Sequence, residues 1–243
     1  MAEWQPYEPD LDQLYVVRFT IAARVQHYVL IVTMTVLLIT GLPLLIPGIG
    51  PRVVEGGFAF RTFAHRLAGA VMIGLSLFHV GWALLTREGR RDFTFMLPTL
   101  QDLRDLVHFV RYQLGKVDEP PPYDKFDPFE KFEYLSVVWG TIVMIVTGLT
   151  MWFFEFVLRL FPKWVYDVAV LIHGYEAVLA FTAIILLHLY HVHLKPGVFP
   201  MSRVWLDGKM SVRHLKEHHP RAYARWLEEQ RLQRSRAGAP DPP

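Results

Sequence analysis

Residues 171–193, LIHGYEAVLAFTAIILLHLYHVH, form an apolar run long enough to cross a lipid bilayer, and they contain four histidines. These are His173, His188, His191 and His193. Ionisable side chains are costly inside a membrane, so each of them requires a functional or structural reason. In an α-helix, the spacing of His173 and His188 corresponds to about 22 Å along the axis and about 60° around it. One helix therefore presents an imidazole near each membrane surface, on roughly the same side.

Three further apolar runs accompany this one. The chain has 243 residues, of which 52% are hydrophobic, and several runs of about twenty apolar residues are typical of a polytopic membrane protein. We predict an all-α membrane protein with four spans, at 28–46, 67–85, 135–158 and 168–192. The absence of cysteine excludes cysteine-ligated iron–sulfur clusters, disulfides and covalent haem attachment, and it leaves histidine as the main soft ligand.

The distribution of Lys and Arg predicts the orientation of these spans. The N-terminal arm has two, the segment between the second and third spans has eight, and the chain from Lys195 onward has ten, whereas the opposite side has five. Positive residues accumulate on the cytoplasmic side, so we expect both termini to be cytoplasmic. The net charge of +2 comes mainly from this bias and gives no reason to expect nucleic-acid binding.

The chain divides into an N-terminal arm (1–23), a transmembrane domain (24–196) and a basic cytoplasmic tail (197–243). Within the loop at 87–131, apolar residues recur at helical spacing and predict an amphipathic helix in the membrane interface. His214, His218 and His219 of the tail lie among many charged residues, so we expect them to be solvated rather than to bind a metal. The last residues, 237–243, are expected to be disordered.

Depth in the membrane sorts the histidines of the spans. His65 and His173 lie towards the outside, His27, His79 and His188 lie towards the inside, and His191 and His193 are closer to the surface. Imidazoles from facing helices are the usual ligands of non-covalently bound haem in a helical bundle. A proton or metal-ion pathway is the competing interpretation, but transporters more often place several acidic residues in their spans, and the predicted spans contain only Glu155 and Glu176.

A short repeat and several motifs carry a family resemblance. Thr147-Gly-Leu in the third span echoes Thr40-Gly-Leu in the first, and in this register Tyr134 takes the place of His27. The resemblance covers about 18–226, with these elements in order: Arg24-x-x-His27, Thr40-Gly41, His65, the Lys131 entry to span three, Leu171-Ile-His173, Leu187-His188-Leu-Tyr190 and the tail DGKMSVRHLKEHHPRAYARW at 207–226. Together they resemble the di-haem b-type cytochrome subunits of membrane oxidoreductases, especially the gamma subunit of respiratory formate dehydrogenase and its hydrogenase and multihaem-cytochrome relatives.

The resemblance implies two haem b groups. One would lie between His65 and His173 near the outer face, and the other between His27 and His188 near the inner face. His79 departs from the formate dehydrogenase pattern. Three alternatives are open, in this order: it supports the inner site without binding iron, it replaces His27 as the inner ligand, or it holds a third haem with His191.

The resemblance also implies roles for charged residues near these sites. Arg24 and Arg66, beside the ligands, are candidates for contacts with the haem propionates. A quinone or menaquinone site is implied at the cytoplasmic side, near the inner haem and the entry to the third span. Asp127 and Glu130 fall at the matching positions and could exchange protons with a quinol.

The function implied is that of an electron-transfer subunit in the bacterial inner membrane, which does not act on the substrate of its partner. It would connect the quinone pool with an outer-side partner that carries iron–sulfur clusters or multiple c-type haems. One alternative is a stand-alone di-haem quinone oxidoreductase. Another, from a different class, is a histidine-lined proton or metal-ion transporter, or an anchor without redox activity.

Overall fold

The computed structural model describes residues 11–195 and 198–236. The elements in chain order are β1 (Tyr15–Val17), α1 (Ile21–Gly41), α2 (Gly50–Leu85), α3 (Arg87–Met96), α4 (Leu100–Gln113), α5 (Pro128–Trp152), α6 (Phe154–Leu160), α7 (Lys163–Ala183), α8 (Val204–Asp207), β2 (Lys209–Ser211), α9 (Val212–His218) and α10 (Pro220–Arg236). Residues 1–10 of the predicted arm lie outside the described residues, and so do residues 237–243 of the predicted tail, which were expected to be disordered.

Four helical segments of the described chain are long and apolar enough to cross a membrane: Ile21–Leu45, Ala59–Leu85, Pro128–Trp152 and Lys163–Leu194. They confirm the prediction of an all-helical four-span protein. Each helix begins before its predicted start, because the residues ahead of each apolar run include polar and charged ones that lower the local hydropathy. The third helix begins at Pro128 and ends at Trp152, so Glu133 lies within it and Glu155 belongs to the separate helix α6.

Contacts divide the chain into two compact units, and the first contains 21–92 and 133–202, with the four spans. Large apolar side chains point away from the interior of the bundle; Leu77 and Leu186, for example, are 70% and 63% exposed. Polar Gln26, Thr33 and Thr147 are buried instead. This inside-out pattern fits helices that meet lipid on their outer faces, with polar contacts holding the bundle together.

The last span changes its helical geometry near its end. After α7, π-helical turns cover Ile184–His188 and Tyr190–Leu194. A π-turn closes its hydrogen bond one residue later than an α-turn, so it holds more residues per turn. The angle of about 60° expected between His173 and His188 from an ideal α-helix therefore does not apply, because the π-turns rotate the side chains that follow.

The second unit contains 11–20, 93–132 and 203–236 of the described residues. Strands β1 and β2 pair antiparallel, with Val16 opposite Met210. Met210, Leu215 and Ala222 form its apolar core, and Val16, Val204, Tyr223 and Trp226 pack against them. The structure thus groups parts of the arm, the loop and the tail into one unit, whereas the predicted division placed the loop within the transmembrane domain.

Buried charges also hold this second unit together. Arg18 contacts Glu130 at 2.6 Å, Lys131 contacts Asp102 at 2.8 Å, and Arg221 contacts Asp105 at 2.6 Å. Burial raises the pKa of Asp102, but the hydrogen bonds from Lys131 and Thr99 and the charge of Lys131 together outweigh this effect, so the pKa is lowered overall. The hydrogen bond to Asp105 raises the pKa of Arg221.

His219 departs from the expectation of a solvated tail histidine, because it is only 6% exposed. Its Nδ1 lies 2.6 Å from the Asp124 carbonyl oxygen and its Nε2 lies 3.3 Å from the Arg18 guanidinium. The ring is therefore neutral, donating through Nδ1 and accepting through Nε2. Burial, followed by the charge of Arg18, lowers the pKa of His219 to about 4.

Helix α4 lies in the segment where the apolar spacing predicts an amphipathic helix. Thr99 and Asp102 form a capping box at its start, in which each side chain accepts a hydrogen bond from the backbone N–H of the other. Leu100, Leu103 and Val107 are more than half exposed. This exposed apolar face is compatible with a position in the membrane interface.

Candidate functional site

His65 of α2 and His173 of α7 face each other across the bundle. Their ring centroids are 6.3 Å apart and the ring planes meet at 62°. The Nδ1 atom of His65 lies 2.8 Å from the Thr40 hydroxyl, and the Nδ1 atom of His173 lies 2.9 Å from the Thr147 hydroxyl. We call His65 and His173 the threonine-backed pair.

The threonines decide which ring nitrogen carries the proton. Thr40 donates its hydroxyl proton to the Val36 carbonyl at 2.6 Å, and Thr147 donates to the Val143 carbonyl at 2.7 Å. Because a hydroxyl has a single proton, each threonine oxygen must accept from the histidine Nδ1–H. The Nε2 atom of each ring then carries a free lone pair, which is the form of histidine that binds a metal.

The glycine that follows each threonine allows the histidine to approach. A Cβ atom on Gly41 would lie 3.3 Å from Cε1 of His65, and a Cβ atom on Gly148 would lie 3.3 Å from Cε1 of His173. Both distances are shorter than an ordinary van der Waals contact. The Thr-Gly repeat seen in the sequence therefore has the same role twice: α1 supports the histidine of α2, and α5 supports that of α7.

A second pair lies at the other end of the last span. The ring centroids of His27 in α1 and His188 are 6.2 Å apart, with an angle of 69° between the planes. The Glu133 carboxylate of α5 accepts from Nδ1 of His188 at 2.9 Å, and its other oxygen lies 3.4 Å from Nδ1 of His191. His188 thus has its proton on Nδ1 and its lone pair on Nε2. We call His27 and His188 the glutamate-backed pair.

The spacing within each pair fits one metal ion with two axial imidazoles. Two bonds from metal to nitrogen of about 2 Å, together with two ring radii of about 1.1 Å, place the centroids about 6.2 Å apart. The two observed separations, 6.3 and 6.2 Å, agree with this value. The donors are imidazoles from facing helices in an apolar bundle, so the residues present fit haem iron bound without a covalent link.

His79 belongs to neither pair. Its Nδ1 lies 2.8 Å from the Gln26 side-chain oxygen, and its Nε2 lies 2.9 Å from the Tyr134 hydroxyl. Gln26 uses its amide nitrogen to donate to the Ala22 carbonyl, which fixes its oxygen as the acceptor of the His79 proton. Both nitrogens of His79 are therefore engaged by protein groups, and the residue links α1, α2 and α5.

The candidate propionate contacts and quinone residues have different surroundings. Arg66 stacks its guanidinium over Trp152 at 5.1 Å and lines a cavity of about 530 Å³, while Arg24 lies within α1 shortly before His27. Asp127 and Glu130 each accept a hydrogen bond from the other's backbone N–H, at 2.8 and 2.9 Å. These contacts form a capping box at the start of α5.

Sequence reasoning missed Glu133 and the hydrogen-bonding role of the two threonines. Glu133 fell just before the predicted third span, so it was not counted among the acidic residues of the membrane region. The signal for the threonines was available, because Thr40-Gly41 and Thr147-Gly148 stand at equivalent places in the repeat. Nothing in the sequence alone related either threonine to a histidine on another helix.

Comparison with known proteins agrees with this geometry. The sequence model of the family described as prokaryotic cytochrome b561 matches residues 18–202. The cytochrome b556(Fdn) subunit of the nitrate-inducible formate dehydrogenase of Escherichia coli K12 is 23% identical over 211 residues, covering 86% of this chain and 90% of its own length. The formate dehydrogenase cytochrome b556 subunit of Haemophilus influenzae is 23% identical over 209 residues, covering 86% and 82%.

The match of the family model extends over all four spans and includes the four histidines of the two pairs. Members of this family are b-type cytochromes, so haem b is the group that the paired imidazoles are suited to bind. With its four apolar helices, the chain belongs to the prokaryotic cytochrome b561 family and is a b-type cytochrome subunit integral to the bacterial membrane.

Proposed function

We propose that the chain is the membrane-anchoring cytochrome b subunit of a respiratory oxidoreductase complex. It would pass electrons across the membrane between the quinone pool and a partner on the outer side. This proposal rests on one observation. Two pairs of histidines are each spaced for a single metal ion, and the last span supplies one histidine to each pair, His173 and His188, which are fifteen residues apart in the sequence. Two redox groups at different depths are the arrangement that electron transfer across a bilayer requires.

Each pair is proposed to hold one haem b. His65 and His173 would supply the axial ligands near the outer face, and His27 and His188 those near the cytoplasmic face. Haem iron supplies reversible one-electron chemistry when bound. Two histidines for each haem would leave no iron position for a substrate, so the residues favour electron transfer over catalysis at the metal.

The contacts of His79 support the first of its three alternatives. A ligand of iron needs a free lone pair on one nitrogen, and in this structure Tyr134 donates to Nε2 while Nδ1 donates to Gln26. We therefore propose two haems rather than three. His191, whose Nδ1 lies near Glu133, is assigned no iron.

Arg24 and Arg66 are proposed to contact haem propionates, since Arg24 lies three positions before His27 and Arg66 directly follows His65 in the sequence. The quinone or menaquinone site is proposed near His27 and His188, on the cytoplasmic side. Asp127 and Glu130 were candidates to exchange protons there. Their reciprocal capping of α5 and the ion pair of Glu130 with Arg18 favour a structural role for both carboxylates.

The orientation and the partner rest on the sequence and on the relatives. The excess of Lys and Arg on one side favours cytoplasmic termini, and in this proposed orientation the threonine-backed pair lies towards the outside. The relatives are named as subunits of formate dehydrogenases, so an outer-side subunit with iron–sulfur clusters or c-type haems is the partner proposed here. A stand-alone di-haem quinone oxidoreductase is the second candidate, and a histidine-lined transporter or non-redox anchor is the third.

Reduction by quinol in proteoliposomes tests the proposed electron transfer. The purified chain, reconstituted with haem in sealed vesicles, is mixed with a short-chain menaquinol, and the reduced b-haem absorbance band is followed. We expect rapid reduction in the wild type and slow reduction in His27→Ala, which lacks a ligand of the site nearest the quinone. Reduction by dithionite but not by quinol would contradict the quinone assignment.

A further inference from the structure

The two histidine pairs differ in the chemistry behind their ligands. His65 and His173 donate from Nδ1 to neutral hydroxyls, at 2.8 and 2.9 Å. His188 donates from Nδ1 to a carboxylate at 2.9 Å. We propose that Glu133 is a positioning residue that holds the reduction potential of the haem at His27 and His188 below that of the haem at His65 and His173. This inference rests on the proposed ligand assignments.

The physical reason is the charge of the acceptor. A carboxylate that accepts the Nδ1 proton draws it away from the ring and raises the basicity of Nε2, which fixes the ring orientation at the same time. A more basic ligand, with a negative charge beside it, stabilises the more positive, oxidised iron. A threonine hydroxyl holds the histidine in the same geometry but changes the basicity of Nε2 much less, because it carries no net charge and its own proton is engaged by a backbone carbonyl.

The surroundings of Glu133 strengthen this effect. Its side chain is 21% exposed and lies in a helix that crosses the membrane, where charges are weakly screened. A carboxylate at such a position is costly unless it is paired and hydrogen-bonded. Glu133 meets this condition through its hydrogen bond with His188, and its second oxygen lies 3.4 Å from Nδ1 of His191.

One carboxylate reaches two histidines of the last span, and both lie where its helical geometry changes. His188 ends the first π-helical segment and His191 lies in the second. They are three positions apart in the chain, and their Nδ1 atoms lie 2.9 and 3.4 Å from the two oxygens of Glu133. These contacts place the carboxylate directly behind the ligand His188.

A potentiometric titration tests the proposal on the purified haem-loaded protein. We expect two one-electron components in the wild type. Glu133→Gln keeps an acceptor for the Nδ1 proton but removes the charge, so it should raise the lower potential by a roughly tenfold change in the ratio of oxidised to reduced haem, about 59 mV. The higher potential should stay unchanged.

Controls separate this effect from a general loss of charge or of structure. Glu155→Gln removes an exposed carboxylate from the short helix α6 and should leave both potentials unchanged. Thr147→Val should move only the higher potential, which assigns that component to the threonine-backed pair. The low-spin electron paramagnetic resonance signal of the lower-potential haem should also shift in Glu133→Gln, which a merely structural contact would not cause.

The possible results distinguish this proposal from the assignment on which it rests. Two haems with an unmoved lower potential in Glu133→Gln would overturn the role of Glu133 alone. No haem in the wild type would overturn the proposed function as well. If Glu133→Gln binds a single haem, Glu133→Asp is titrated instead: two components separated as in the wild type support the proposal, and coincident components overturn it.

Discussion

The hydroxyl of Thr147 offers the sharpest single test of how a histidine ligand is held. Thr147→Val has nearly the same shape but lacks the oxygen that accepts the Nδ1 proton of His173 at 2.9 Å. A buried donor left without its partner costs about 1–3 kcal/mol. Loss of an outer hydrogen bond to a metal ligand lowers metal affinity by about 10–100-fold, or about 1.4–2.7 kcal/mol, so the two estimates agree.

We therefore expect the haem of the threonine-backed pair to dissociate about 10–100-fold faster in Thr147→Val, if association is unaffected. Transfer of haem from the detergent-solubilised protein to excess apomyoglobin measures this rate. The faster phase should account for one of the two haems. Thr40→Val should accelerate the same phase, because Thr40 holds His65 in the equivalent way.

Two matched variants make the result decisive. Thr147→Ser retains the hydroxyl and should retain slow dissociation. Thr150→Val changes an exposed threonine of the same helix, whose hydroxyl donates to the Val146 carbonyl at 2.8 Å, and should also behave as the wild type. Equal dissociation rates in Thr147→Val and Thr150→Val would refute the reasoning that the hydroxyl holds the ligand.

Three further predictions concern other parts of the chain. Gly41→Ala would place a Cβ atom 3.3 Å from Cε1 of His65 and should lower the haem content, whereas Gly69→Ala, with nothing within 4 Å of its new Cβ, should not; equal pyridine haemochrome values would contradict this. His79→Ala should leave two haems per chain by the same assay, and loss of one would make His79 an iron ligand. The pKa of His219 is lowered from 6.5 to about 4 in the folded chain, so on acidification the unfolded chain protonates this histidine before the folded chain does. The free energy of unfolding should therefore fall as the pH drops from 6.5 towards 4, by at most about 3 kcal/mol. Thermal unfolding between these pH values checks this, and His219→Asn should flatten the slope; an undiminished slope would assign it to other groups.

The four spans could be predicted because their signal is local. A run of about twenty apolar residues specifies a membrane helix without reference to the rest of the chain. The boundaries were less accurate, since Pro128 begins a helix whose first turn contains charged residues. That error had a consequence, because it placed Glu133 outside the membrane region and hid the carboxylate behind His188.

The pairing of side chains was only partly accessible from the sequence. Depth alone brought His65 and His173 together, but it left His27, His79 and His188 as alternatives for the second pair. The structure separates them by contacts that depend on helix rotation: His79 turns towards Gln26 and Tyr134, and the ring of His188 lies beside that of His27. A one-residue change in helical phase moves a side chain by about 100°, which no spacing rule for ideal helices anticipates.

The buried charges of the second unit were also beyond sequence reasoning. Arg18, Glu130 and His219 come from three distant segments; His219 was expected to be solvated, and Glu130 was a candidate for the quinone site. Their burial depends on the pairing of β1 with β2 and on the small apolar core around Met210. Such contacts are decided by tertiary structure, since the local composition of each segment is polar.

The number of b haems per chain tests the central claim most directly. The measurement is a pyridine haemochrome assay on purified protein that was expressed with haem available, together with a dithionite-reduced spectrum. Two histidine pairs at 6.3 and 6.2 Å predict two haems per polypeptide with low-spin b-type spectra. Folded protein without haem would contradict the cytochrome assignment, and three haems would contradict the assignment of His79 to a hydrogen-bonding role.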